Sequence, residues 1–204
     1  TINNDYGTVA GGVFNCVCGD YGSIGGGCGN RICDGEHLST IAGGQANCID
    51  ADCSFIGGGC NNRIQGNGAC YHTIGGGQSN CINVGGTNCN YNFIGGGINN
   101  CITCTGCNTI AGGCGNKILY AQHNTIGGGQ GNVICGGSSN RGNQFLGGGC
   151  GNCIYTSCCA TLVGGNNNCI SNSCQSFIGG GSQNCICNCA RCSVIVGGFS
   201  NCIG

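Results

Sequence analysis

Sulfur is the chemistry this chain carries in quantity: 26 of its 204 residues are cysteine. Eight of them, Cys16, Cys48, Cys81, Cys101, Cys153, Cys169, Cys185 and Cys202, directly follow an asparagine in a recurring phrase. Four more, Cys28, Cys60, Cys114 and Cys150, directly follow the glycine run of the same phrase. In three repeats of this second set the post-asparagine slot holds Arg31, Arg63 or Lys117 instead. A thiol returned to a fixed slot in repeat after repeat is a structural pattern, and these twelve are disulfide candidates. Strands stacked about 4.8 Å apart lie within the Cα separations of roughly 4.4–6.8 Å that a disulfide spans. An even total allows complete pairing without fixing the connectivity. Disulfides at such density belong to an oxidising compartment: extracellular space, a cell surface or a virion surface.

Metal is the rival use of the same sulfurs. Cys185, Cys187, Cys189 and Cys192 form a dense run, and Cys104 with Cys107 makes a Cys-x-x-Cys, the kind of cluster zinc takes. Thiols spread evenly along the chain fit ladder-like bridging better than one compact centre, so no metal site is expected. His37, His72 and His123 all fall in variable segments, where solvated imidazoles are the expectation. Asp20, Asp34, Glu36, Asp50 and Asp52 gather near the start; Asp50 and Asp52 could touch calcium weakly, but no calcium-loop spacing is present. No acid pair or nucleophile–base arrangement stands out, and phosphate-binding glycine loops need a helix and a lysine that these lack. The expectation is a non-enzyme without a cofactor.

The element that positions all of this is a nine-residue phrase, seen at Ile178 to Ile186: an aliphatic, a glycine run, two variable residues, Asn, one variable residue, a second aliphatic. Its first residue falls at Val9, Ile24, Ile41, Ile56, Ile74, Ile94, Ile110, Ile126, Leu146, Leu162, Ile178 and Ile195, at spacings of 15 to 20 residues. A fixed phrase at this period is the signature of a solenoid whose coils complete one another's core. The fold class expected is therefore all-β, a parallel β-solenoid of about twelve coils forming one repeat domain over 1–204. The Asn recurs in every coil: Asn15, Asn30, Asn47, Asn62, Asn80, Asn100, Asn116, Asn132, Asn152, Asn168, Asn184 and Asn201. It suits left-handed backbone, and stacked amides can bond one another along the coil axis.

Each coil offers two aliphatics to its interior, with a Tyr, Leu or Cys three places before the phrase (Tyr21, Leu38, Cys53, Tyr71, Tyr91, Cys107) as a possible third. That core is thin. The residue just before the first aliphatic is never charged; it is Thr in six coils and Phe55, Phe93, Phe145 or Phe177 in four, never in adjacent coils. Consecutive strand residues face opposite sides, so a second face must also be covered. If three chains met on an axis, these Phe would be the axis candidates, with Thr layers between them relieving the crowding.

Net charge is −1, with only five Lys and Arg, too few to track phosphates, so neither nucleic acid nor an anionic membrane is an expected partner. No stretch approaches the roughly 18 apolar residues of a membrane helix. The chain opens at Thr1 without a secretory leader and stops at Gly204 without a cap. Solenoid ends need covering, so the expectation is a processed or excerpted part of a longer fibre, or rods stacked end to end.

Tyr6 to Asn15 and coils such as Thr73 to Ile82 resemble the glycine-triplet head repeats of trimeric autotransporter adhesins and of related viral and phage fibres. The resemblance covers nearly the whole chain and implies a left-handed β-roll, three of which pack into a rod. The cysteine density, and Ile at the second core position, depart from adhesin heads of that family. The expected function is a structural subunit of an extracellular or virion surface fibre, stiffened by disulfides and partnered by itself as a homotrimer. The alternative is an adhesin head that binds host glycan or protein through the variable loops. An ice-binding face would need evenly repeated Thr-x-Thr, found only at Thr103 and Thr105.

Overall fold

A computed structural model describes residues 1–3, 5–35, 37–85, 90–103, 106–137 and 142–204. Glu36, Cys104 and Thr105 therefore lie outside the described residues. Within them the chain winds as a parallel β-solenoid of twelve coils, each giving one strand to each of two twelve-stranded parallel sheets. The first sheet runs from Thr8–Val9 to Val194–Ile195 in two-residue strands, because the glycine run ends each strand directly after its aliphatic. The second runs from Cys16–Val17 to Cys202–Ile203. Between them a line of single parallel bridges, Val13 to Cys28 to Gln45 and onward to Phe199, forms a third side.

Register is kept from coil to coil: Ile24, Ile41 and Ile56 stack in one column, Ile32, Ile49 and Ile64 in the other. From Val17 to Ile186 every phrase aliphatic is fully buried. The core is thus two columns of branched side chains, which pack well on the pleated surface of stacked strands.

The repeated Asn fastens each coil to the next. At every step from Asn15 to Asn201, the backbone N–H of one Asn donates to Oδ1 of the Asn one coil earlier at 2.9–3.0 Å. Its Nδ2 donates to a glycine carbonyl four residues back in the same coil and to another in the following coil, as Asn100 does to Gly96 and Gly113, both at 2.9 Å. The amide therefore holds the glycine turn shut while joining neighbouring coils. The left-handed residue at this corner is not the Asn itself. It is the variable residue before it, such as Ala46, Asn61, Ser79 or Asn99, with φ of 55–58°.

A second departure concerns the position three before each phrase. Tyr21, Leu38, Cys53, Tyr71, Tyr91 and Cys107 all have φ between 49° and 64°, and this left-handed corner turns their side chains outward. Tyr21, Leu38, Tyr71 and Tyr91 are more than half exposed. The residue after each takes the interior place and is often polar. Ser39, Ser54, His72, Asn92, Asn108, Asn124 and Gln144 form a second buried column. Ser54 N–H donates to Ser39 Oγ at 3.1 Å, Asn108 N–H to Asn92 Oδ1 at 3.1 Å, and Gln144 N–H to Asn124 Oδ1 at 2.9 Å.

His72 is therefore not a solvated loop imidazole but a fully buried member of this column. Its Nδ1 accepts from Asn92 N–H at 3.4 Å, and its buried Nε2 has no hydrogen-bond partner. Burial holds its pKa down to about 4 from 6.5, because the cation would lose its hydration. The unfolded chain takes up this proton near pH 6.5 and the folded chain only near 4. The contribution to stability is thus complete above pH 6.5 and drains away as pH falls towards 4, by about 3 kcal/mol in all. Asn stands at the equivalent place in three later coils, so His72→Asn should remove that part of the acid dependence in urea melts at pH 7 and pH 4.5. An unchanged dependence would place the acid sensitivity elsewhere.

Candidate functional site

Two outward faces carry the features singled out in the sequence. The first is the thiol face of the second sheet. Its outward column reads Cys16, Arg31, Cys48, Arg63, Cys81, Cys101, Lys117, Val133, Cys153, Cys169, Cys185, Cys202 in stacked register. Cys81 lies directly against Cys101, and Cys153, Cys169, Cys185 and Cys202 follow one another without interruption. Cys48 has an arginine above and below, and its sulfur meets Cys33 diagonally at 3.8 Å. Cys16 meets Cys18, two residues on in the same strand direction, at 3.3 Å. The Cys33–Cys48 and Cys16–Cys18 sulfurs stand at contact separation. Cys18 and Cys33 were not among the twelve sequence candidates; strand alternation from Cys16 and Arg31 was the signal that could have found them.

Cys28, Cys60, Cys114 and Cys150 lie on the third side, where Gln45 separates Cys28 from Cys60 and Gln130 separates Cys114 from Cys150. Two strand spacings, about 9.6 Å, exceed the reach of a disulfide. These four cannot bridge one another along their column.

In the Cys33–Cys48 and Cys81–Cys101 pairs one thiol is acidified at the expense of its neighbour. Cys48 is pulled down to about 7, first by the hydrogen bond from Cys33 and then by the Arg63 and Arg31 guanidiniums, against its burial. Cys101 falls to about 6 through the hydrogen bond from Cys81, helped by Thr103 and by the Lys117 ammonium. Cys33 and Cys81, the donors, are pushed up. A thiolate beside a thiol at contact distance is the starting arrangement for disulfide formation once an oxidant is supplied. Alkylation of the reduced chain followed by peptide mass spectrometry should give half-maximal modification of Cys48 and Cys101 at a pH below that of an ordinary thiol, and of Cys33 and Cys81 above it. Arg63→Gln should move the Cys48 midpoint upward; no movement would deny the guanidinium a role.

The second face is the outer side of the first sheet. Its columns contain no charged residue. Phe55, Phe93 and Phe145 are 40–43% exposed, and Phe177 is half-buried. Each ring lies over the first glycine of its own run: a Cβ on Gly57, Gly95, Gly147 or Gly179 would stand 3.2–3.4 Å from Cε1 of Phe55, Phe93, Phe145 or Phe177. Ala or Val takes that glycine slot only in coils without Phe, as at Ala42, Ala111 and Val163. Phe thus always stands beside Gly on this face, which forms an uncharged strip of Phe, Thr, Ser and Val on the order of 55 Å long. Tyr71 and Tyr91, remote in sequence, stack at 5.2 Å on another edge, as do Tyr6 and Tyr21 at 4.9 Å.

Comparison with known proteins leaves the fold and these faces to speak for themselves: no family model matches the chain, and no curated protein does.

Proposed function

We propose that this chain is a structural subunit of a fibre on a cell or virion surface, with its uncharged strip packed against sister copies in a homotrimer. The observation that carries the reading is that strip: uncharged along twelve coils, with phenylalanines half exposed and each ring fitted over a glycine. Exposed aromatic rings on a face without charge mark association sites. Threefold packing brings three rings together in every Phe layer and leaves threonines in most layers between. The acidified stacked thiols supply disulfides across coils in an oxidising compartment, and Cys28, Cys60, Cys114 and Cys150 are free of one another and available to neighbouring chains.

The test is immunogold electron microscopy of the native source, with antibody raised to the chain. Label along thin fibres is expected; label spread through the cell interior would refute the reading. Mass measurement under denaturing conditions, with and without reductant, separates bridges within chains from bridges between them.

The exposed, stacked Tyr71–Tyr91 pair favours one second reading, an adhesin head, because its outer ring faces and hydroxyls offer a sugar an apolar and a polar contact together. Glycan-array binding lost in a Tyr71→Ser, Tyr91→Ser double variant would support it, and absence of glycan binding would dismiss it.

A further inference from the structure

The even distribution of sulfur breaks down between coils 11 and 12. Cys185 and Cys187 alternate along one strand direction, so both face outward. Cys202 stacks in register on Cys185. The three Sγ atoms all lie within 4.8 Å of one another, and among the described residues this is the place where three metal-ligating side chains converge so closely. Continuing the register sets Gly204 over Cys187, with Cys187 N–H bonded to Ile203 O at 2.8 Å. A Cβ on Gly204 would stand 3.3 Å from Cys187 Sγ and 3.2 Å from Asn188 Nδ2. The arrangement is a rectangle with sulfur at three corners and, at the fourth, a residue without a side chain.

A disulfide would use two of these sulfurs and leave the third over. An ion would use all three. With metal–sulfur bonds of about 2.3 Å, tetrahedral geometry spaces thiolates about 3.8 Å apart, so small side-chain rotations close the set. The strands beneath it fix the backbone, and the three side chains range from half-buried to exposed, so an ion can enter from solvent.

We propose that Cys185, Cys187 and Cys202 bind one thiophilic ion, zinc(II) or copper(I), through three thiolates, with the Gly204 corner open to a solvent ligand. Thiolate ligands select these ions over hard cations. Binding releases the thiol protons and ties the strand Cys185–Ile186 to the strand Cys202–Ile203. This use of the sulfurs stands apart from the fibre reading, since it needs them reduced and needs no sister chain.

The test titrates the reduced, metal-free full chain anaerobically with cobalt(II), then with zinc(II) as competitor, and in a separate arm with copper(I) against a chelator. A first equivalent of cobalt should give tetrahedral thiolate bands that zinc bleaches. Tight uptake of one copper(I) without cobalt binding also supports the site and identifies the ion. Cys187→Ser keeps the stacked Cys185–Cys202 pair and should weaken the first equivalent at least about a hundredfold, with an unchanged circular dichroism spectrum. Cys81→Ser, which breaks an ordinary stacked pair, should leave it unaltered. Equal affinity in the parent chain and Cys187→Ser, equal weakening by Cys81→Ser, or no uptake of either ion would overturn the proposal.

Discussion

Replacing Asn100 with alanine should destabilise the solenoid by about 4 kcal/mol, although the change is far from either outward face. The Asn100 side chain is fully buried, with its two Nδ2 hydrogens shared among three acceptors. Nδ2 donates to Gly96 O and Gly113 O at 2.9 Å and to Asn80 Oδ1 at 3.1 Å, while Oδ1 accepts from Asn116 N–H at 3.0 Å. Each such bond contributes about 1 kcal/mol net, and the stranded Asn116 N–H adds the cost of an unsatisfied buried donor. Asn100→Asp should do at least as much damage despite equal size. It keeps the acceptor but turns a carboxylate towards two carbonyl oxygens in a buried place. Hydrogen exchange is the suitable readout, because solenoids open locally. The Asn116 amide should exchange roughly a thousandfold faster in Asn100→Ala. If it does not, the amide column is ornament.

Gly97→Ala should be worse still, with the loss of stacking between its coil and the next. Gly97 has φ +88°, and its Cβ would stand 2.1 Å from Gly113 O and 2.8 Å from Asn100 Nδ2. Backbone cannot give way there without parting the coils, so the expected cost exceeds about 4 kcal/mol, in the range reserved for named steric failures. Gly115→Ala is the internal control. Its φ is +68° with nothing within 4 Å of the added carbon, and other coils carry Asn99 or Ser200 at the same corner with φ of 57° and 54°. The expected cost is about 1–2 kcal/mol, that of a left-handed non-glycine residue. Thermal melts of the two variants side by side decide the matter: equal losses would mean that close approach of the coils is not what demands glycine.

These two sites show which parts of the fold can be read from residue order. A glycine and an asparagine returned to the same slot in all twelve coils declare that slot's geometry, and the aliphatic columns follow from it. The corner three before each phrase was not legible, because Tyr21, Leu38 and Cys53 look like core by type. Only the left-handed backbone there, at φ of 56°, 57° and 49°, turns them outward and gives the interior to Ser39 or Ser54. The same corner at Tyr71, with φ of 64°, carries His72 into the interior, although a histidine in a variable segment reads as solvated. On the thiol face, slot repetition makes the stacked neighbours legible, while the diagonal contacts are not. Which sulfurs meet depends on stacked register: Cys81 meets Cys101, whereas Cys28 faces Gln45. The phrase alignment carries those stacked partners, but not the contacts between unlike slots, Cys33 with Cys48 and Cys16 with Cys18, which depend on side-chain direction.

The proposed homotrimer rests on the uncharged strip of Phe and Thr layers. Sedimentation equilibrium of the purified chain, run with and without reductant, tests it most directly. The predicted mass is three times 20.1 kDa in both conditions, since packing of the Phe and Thr layers, rather than sulfur, joins the copies. A stable species of 20.1 kDa across the concentration range, with Phe93→Lys leaving both its mass and its melting temperature unchanged, would contradict it.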